Sequence, residues 1–187
     1  MMNKINKWIF YIITVVILFS IPIVTVVNNM ITLKNGTEFK FRVMAFDPYD
    51  MFRGMYLDIQ LAEDETRTNY YSDILEEYDK NNVFVTIKED YDGFAYFDKV
   101  FGEKPEDTIN YVKATVDYSE YANSYYVESP LKAYYMNEEK SYGAEKIYDD
   151  NIEATCVKVR VKDGNMTIVG IYVDDVLIDL MEYVEDK

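Results

Sequence analysis

The chain has 187 residues, 49% apolar and 28% charged, proportions of a folded protein rather than a disordered one. Its 19 basic residues are outnumbered by 34 acidic ones, a formal net of -15; so negative a surface repels nucleic-acid phosphates and resists lying flat on an anionic leaflet. Histidine is absent and Cys156 stands alone, which excludes Ser-His and Cys-His hydrolase pairs, the usual zinc sites and any internal disulfide.

From Trp8 to Val27 the sequence reads WIFYIITVVILFSIPIVTVV, twenty residues without a charge. As a helix this stretch spans roughly 30 Å, the thickness of a hydrocarbon core. Trp8 and Tyr11 stand near its start, where amphipathic rings settle among headgroups. Lys4 and Lys7 precede it, so the positive-inside rule places residues 1–7 in the cytoplasm and residues 28–187 outside it. A cleaved signal peptide is the rival reading. Its apolar run is shorter and ends in a small-x-small site, which this sequence lacks before Asn28. The expectation is a retained, single-pass signal anchor at the cell membrane, with Pro22 tolerated inside it.

Lys34-Asn35-Gly36 reads as a turn. Thr37 to Phe46 then alternates, with Phe39, Phe41, Val43 and Ala45 on one side and Glu38, Lys40 and Arg42 on the other, which predicts a half-buried strand. Asp47-Pro48-Tyr49-Asp50 breaks it, and a second strand is expected from Tyr56 to Ala62. Glu63 to Asn82 is polar with an amphipathic middle, either a short helix or a long loop. Val83 to Lys88 and Phe94 to Phe101 form a hairpin around Asp90-Tyr91-Asp92-Gly93, and Tyr111 to Tyr118 adds a strand. Tyr134 to Met136 reads as a short strand and Asn137 as the cap of a helix reaching about Tyr148, weakened by Gly143. Ala154 to Val161 and Met166 to Val173 flank Lys162-Asp163-Gly164-Asn165, where Asp-Gly is a strong hairpin signal. Val176 to Ile178 closes the sheet. The expected fold is mainly β: one transmembrane helix, then one antiparallel sandwich or barrel-like domain with one or two short helices. The 19 tyrosines suit strands with one dry and one wet face.

Asp47 to Leu61 reads DPYDMFRGMYLDIQL and resembles the segment that names the GDYXXLXY family, roughly D-P-x-D-x-x-R-G-D-Y-x-x-L-x-Y. Asp47, Pro48, Asp50, Arg53, Gly54 and Tyr56 match in place. Met55 replaces Asp, Ile59 replaces Leu and Leu61 replaces Tyr. Tyr134 to Glu138 looks like the family's aromatic stretch ending in a Glu, which makes Glu138 a secondary candidate. Val157 to Gly164 and Gly170 to Asp174 are similar to its closing hairpin. The resemblance implies a membrane-anchored, extracytoplasmic bacterial protein, of a kind often encoded beside multi-spanning membrane proteins. It brings no catalytic, cofactor or metal residues. On physical grounds Pro48 fixes φ, Asp47 can form an Asx-turn, Gly54 permits close backbone approach, and Arg53 can fork onto Asp47 and Asp50. The segment is either a locked structural loop or an exposed recognition loop beside the membrane.

Paired acids occur at Glu63-Asp64-Glu65, at Glu89-Asp90 with Asp92, and at Asp149-Asp150, all read as solvated faces. Lys88 to Gly93 faintly resembles an oxygen-ligand calcium loop but lacks its twelve-residue pattern and closing Glu. No phosphate-cradling glycine loop is present. Cys156 reads as a small buried hydrophobe. The expectation is a non-enzymatic interaction module without cofactor that docks on an integral-membrane partner and binds no nucleic acid. A carboxylate-dependent hydrolase and an acidic cation-binding surface domain are the alternatives.

Overall fold

A computed structural model describes residues 4–44, 56–59, 61, 65–66, 82–119, 124–131 and 133–181. The segment 45–55, the helix or loop expected within 63–82 and the acidic tail lie outside these residues, apart from Glu65, Thr66 and Asn82.

Helix α1 runs Lys4–Asn35, with Pro22 inside it. It therefore passes eight residues beyond the predicted span, and Lys34-Asn35 is helical rather than a turn. No Pro or Gly interrupts Asn28 to Asn35, so nothing stops the helix before Gly36. Its residues Trp8–Asn35 are long and apolar enough to cross a membrane: the most apolar 18 of them have mean hydropathy 2.7, and none of those 18 is buried. The hydroxyls of Thr14 and Thr25 donate back to the carbonyls of Phe10 and Ile21, which satisfies them within the helix.

Strands β1 (Thr37–Arg42), β9 (Thr155–Lys162), β10 (Asn165–Val173) and β11 (Val176–Leu177) form one antiparallel sheet in the order β1-β9-β10-β11. A second sheet has the order β3-β7-β6-β4-β5, from β3 (Glu65–Thr66), β4 (Val83–Glu89), β5 (Ala95–Phe101), β6 (Tyr111–Ser119) and β7 (Ser124–Glu128). β2 (Tyr56–Asp58) pairs with β8 (Ala133–Tyr135). Helix α2 spans Glu138–Asp150, and single 3-10 turns follow at Ile152–Ala154 and Ile178–Leu180. The domain is mainly β, as predicted. β7 was not foreseen, and Ile178, expected at the end of a strand, opens a 3-10 turn and is buried.

Alternation puts the core between the sheets. Phe39, Phe41, Val157, Val159 and Val161 face Val83, Val85, Phe97, Val112 and Val116, all buried in one cluster. The Phe41 and Phe97 rings meet across the interface, centroids 5.4 Å apart. Two bulges interrupt the ladders, one at Asp98-Lys99 of β5 opposite Thr86 and one at Val169 of β10. The Thr86 hydroxyl is satisfied there, accepting from Lys99 N–H at 3.2 Å and donating to Lys99 C=O at 3.3 Å. The β9–β10 turn places both Asp163 (φ 50) and Gly164 (φ 83) in the left-handed region, as a two-residue hairpin of this type requires.

The junction of helix and sheet leaves no linker. Gly36 N–H bonds Thr32 C=O at 2.8 Å, and Thr37 already pairs with Val161. A Cβ on Gly36 would stand 2.5 Å from Thr32 O and 3.0 Å from Val161 O, so only glycine fits. Thr32 is buried, whereas its helical neighbours are exposed. Arg160 donates to the Leu33 carbonyl and to the Glu38 carboxylate at 3.2 Å, closing the helix C-terminus with a cation.

Candidate functional site

β1 carries the chain from this junction to the opposite end of the domain, about 17 Å at 3.4 Å per residue. Arg42, Val43 and Met44 stand there, and the segment with Asp47, Pro48, Asp50, Arg53 and Gly54 departs from Met44. Those five residues lie outside the described part of the chain. Both ends of the segment are held. Met44 C=O accepts a hydrogen bond from the Tyr148 hydroxyl at 3.0 Å. On return, Tyr56 pairs with Tyr135 and Asp58 with Ala133. Glu138 opens α2 three residues beyond Tyr135, and the β2–β8 pairing joins stretches about eighty residues apart in one unit.

That unit is fastened to the domain by its aromatic residues. Ala144 and Tyr148, four residues apart on α2, are buried against the core. The Tyr134 hydroxyl donates to Asp179, and the Lys140 ammonium donates to the Asp179 carbonyl at 2.7 Å, tying β8 and α2 to the last 3-10 turn. Burial, then the Asp179 carboxylate, pushes the Tyr134 phenol well above the ordinary tyrosine range. Tyr135, on the opposite side of β8, is 75% exposed.

The second half of the named motif has a different role. Ile59 and Leu61 are buried, and Leu61 bridges Val43. They occupy the family's Leu and Tyr positions, so apolar bulk is what this part of the motif supplies to the core. The Tyr-to-Leu departure keeps that bulk.

The β4–β5 turn closes over the same end. Arg42 donates to Asp90 at 2.6 Å and to Asp92 at 3.4 Å, and its guanidinium lies 4.0 Å from the Phe94 ring centroid. The other Asp90 oxygen accepts the N–H groups of Asp92 and Phe94, both at 2.9 Å. Arg42, followed by the Phe94 N–H, holds the Asp90 carboxyl below its ordinary range. The acids that faintly resembled a calcium loop thus surround an internal guanidinium. Beside it on the sheet's outer face, Lys40 and Lys158 flank Asp175 at 3.8 and 3.7 Å. Asp149 and Asp150 are exposed at the end of α2, where partial desolvation, then the adjacent Asp150 charge, raises the Asp149 carboxyl. Cys156 is buried opposite Arg42 and Tyr172, and burial raises its thiol. Among the described residues no group of three or more acidic or Cys side chains is placed to hold a metal ion.

Sequence reasoning missed Arg160, Tyr148 and Asp179. Tyr148 and Arg160 donate to carbonyls 104 and 127 residues away, and the Asp179 carboxylate accepts from the Tyr134 hydroxyl 45 residues away; no local pattern marks such partners.

An apolar helix fused to a two-sheet β-domain, with a pinned segment at its far end, defines a helix-borne β module. Residues 18–171 match the model of the GDYXXLXY protein family, and the chain belongs to that family. No curated protein and no solved structure matches it.

Proposed function

We propose that the chain is a single-pass membrane protein with a cytoplasmic N-terminus, whose domain outside the cytoplasm docks on an integral-membrane partner. The observation that carries this reading is the helix: every side chain from Trp8 to Ile31 is exposed, and only Thr32 turns into the domain. An uncovered apolar surface of that length is stable in lipid and not in water. Lys4 and Lys7 supply the cytoplasmic charge bias. The docking element is the segment from Asp47 to Tyr56 with Glu138, because its two ends are fixed to the core while Tyr135 beside it is exposed.

Copurification from detergent-solubilised membranes tests the docking, with a stoichiometric multi-spanning protein as the expected result. The Arg53→Ala and Asp50→Ala variants should lose that partner while remaining in the membrane fraction. Recovery of the wild-type chain alone overturns the docking. Protection of residues beyond Asn28 from protease added to intact cells overturns the orientation.

A further inference from the structure

We infer that the helix-exit end of the β-domain rests on the phospholipid headgroup layer, with Ile109 inserted at its surface. The inference rests on the reading that α1 spans the bilayer. Between Lys7 and Lys34 the helix carries no charge. Trp8 to Leu33 is about 39 Å long at 1.5 Å per residue, close to the thickness of a bilayer with its headgroups and not of the hydrocarbon alone. Met30, Ile31 and Leu33 remain exposed beyond the predicted span, on a stretch that would otherwise stand in water. Lys34 then lies at the outer headgroups. Gly36 follows without a linker, so the first residues of the sheet lie there too.

The parts of the domain beside that exit are identifiable from the register. Thr37 pairs with Val161, and the β9–β10 turn begins two residues further, at Asp163. Gly164 bridges Val112, and Lys113 N–H bonds Gly164 C=O at 2.9 Å, which brings the start of β6 to the same end. The β5–β6 connection lies against it: Lys104, Pro105, Ile109, Tyr111 and Asp163 line one surface depression, with the Lys104 ammonium 5.6 Å from the Tyr111 ring centroid.

Ile109 is 78% exposed, a β-branched apolar side chain near the end of this connection, two residues before β6 begins. Lys34, Lys104, Lys113, Arg160 and Lys162 gather at this end, five of the chain's 19 basic residues. Arg160 is paired with Glu38 and Lys162 with Asp163, and the β5–β6 connection adds Glu103, Glu106 and Asp107, so five acids balance the five bases. The result is a mixed face in a chain of net charge -15, so repulsion from anionic lipid is weakest here. Ile109 shares its depression with the long side chain of Lys104, and an exposed apolar residue beside such a stem can seat among headgroups on a face that carries no net charge.

The test uses the full chain, with Cys156 replaced by Ser, in vesicles of phosphatidylcholine and phosphatidylglycerol. Single cysteines at Ile109, at Tyr91 in the β4–β5 turn, and at Leu18 within the helix carry an environment-sensitive fluorophore. Nitroxide lipids labelled near the headgroup or at mid-chain serve as quenchers. The Ile109 label should shift to the blue and lose most of its emission to the shallow quencher, while the Tyr91 label keeps its emission. The Leu18 label should respond to the mid-chain quencher. An unquenched Ile109 label with a quenched Leu18 label overturns the seating alone, as does equal quenching at Ile109 and Tyr91. A Leu18 label that escapes the mid-chain quencher overturns the spanning reading, and the seating with it.

Discussion

Arg42 and Asp90 are 48 residues apart in the chain and 2.6 Å apart in the fold. One ends the strand that follows α1, and the other opens the β4–β5 turn, so this contact joins the two sheets. The guanidinium is also stacked on Phe94, which excludes water from one of its faces. Asp90→Asn should lower the melting temperature of the detergent-solubilised protein at neutral pH. Asp90 is a carboxyl whose folded-state value lies below its ordinary 3.8. Its contribution is therefore complete above that value and is lost as pH falls below it toward the depressed folded value. Melting curves of wild type and Asp90→Asn should converge as pH falls below 3.8, and a gap that stays constant through acid would show the pair to contribute nothing as an ion pair.

Gly36→Ala forces a methyl group to within 2.5 Å of Thr32 O. Both nearest atoms are backbone, so the helix end or β9 must shift, at a cost of about 1–3 kcal/mol. Chemical denaturation should record that loss, and proteolysis near Asn35 should accelerate. A variant as stable and as resistant as wild type would show that the junction has room the geometry denies.

Leu61→Ala removes a side chain with no exposed surface from the centre of the cluster. The expected loss is about 2–5 kcal/mol, the range for a large-to-small change in a packed core. Leu61→Ile should cost less than about 1.5 kcal/mol. Equal losses for the two variants would remove the assignment of this motif position to packing.

Tyr134→Phe deletes the donor to Asp179 and leaves the ring in place. The loss expected is about 0.5–1.5 kcal/mol, read from denaturation midpoints. Because the folded phenol is raised above its ordinary value of 10.0, its contribution is present below pH 10 and disappears as pH rises through the folded value. Spectrophotometric titration should show one fewer tyrosine ionising with the early group in wild type than in an unfolded control.

Local patterns were enough for the β-rich class and for most of its strands. Asp163-Gly164 marked the β9–β10 hairpin because both residues tolerate the left-handed region. The period-two runs of β1, β4 and β9 marked the buried face because each has several apolar residues in phase. β7 escaped because a five-residue strand with Val127 as its buried residue and Tyr126 half exposed has too little contrast to show a period. The end of α1 was misplaced because Lys34-Asn35-Gly36 resembles a turn, while no Pro or Gly stops the helix before Gly36 and the Arg160 side chain that closes its end comes from far along the chain. The meeting of the motif with Tyr135 and Glu138 depends on strand pairing, which neither segment encodes alone.

Gly36 gives the domain no hinge on its anchor, and this has a mechanical consequence. A rigid arm about 17 Å long separates Thr37 from Arg42. When the helix leans by about 10°, the far end of that arm travels about 3 Å, a hydrogen-bond length, by simple lever geometry on the same strand rise. Leaning is also how a helix accommodates a change in bilayer thickness. On the proposed reading that α1 spans a bilayer, any contact made by the far end is thereby linked to the thickness of that bilayer.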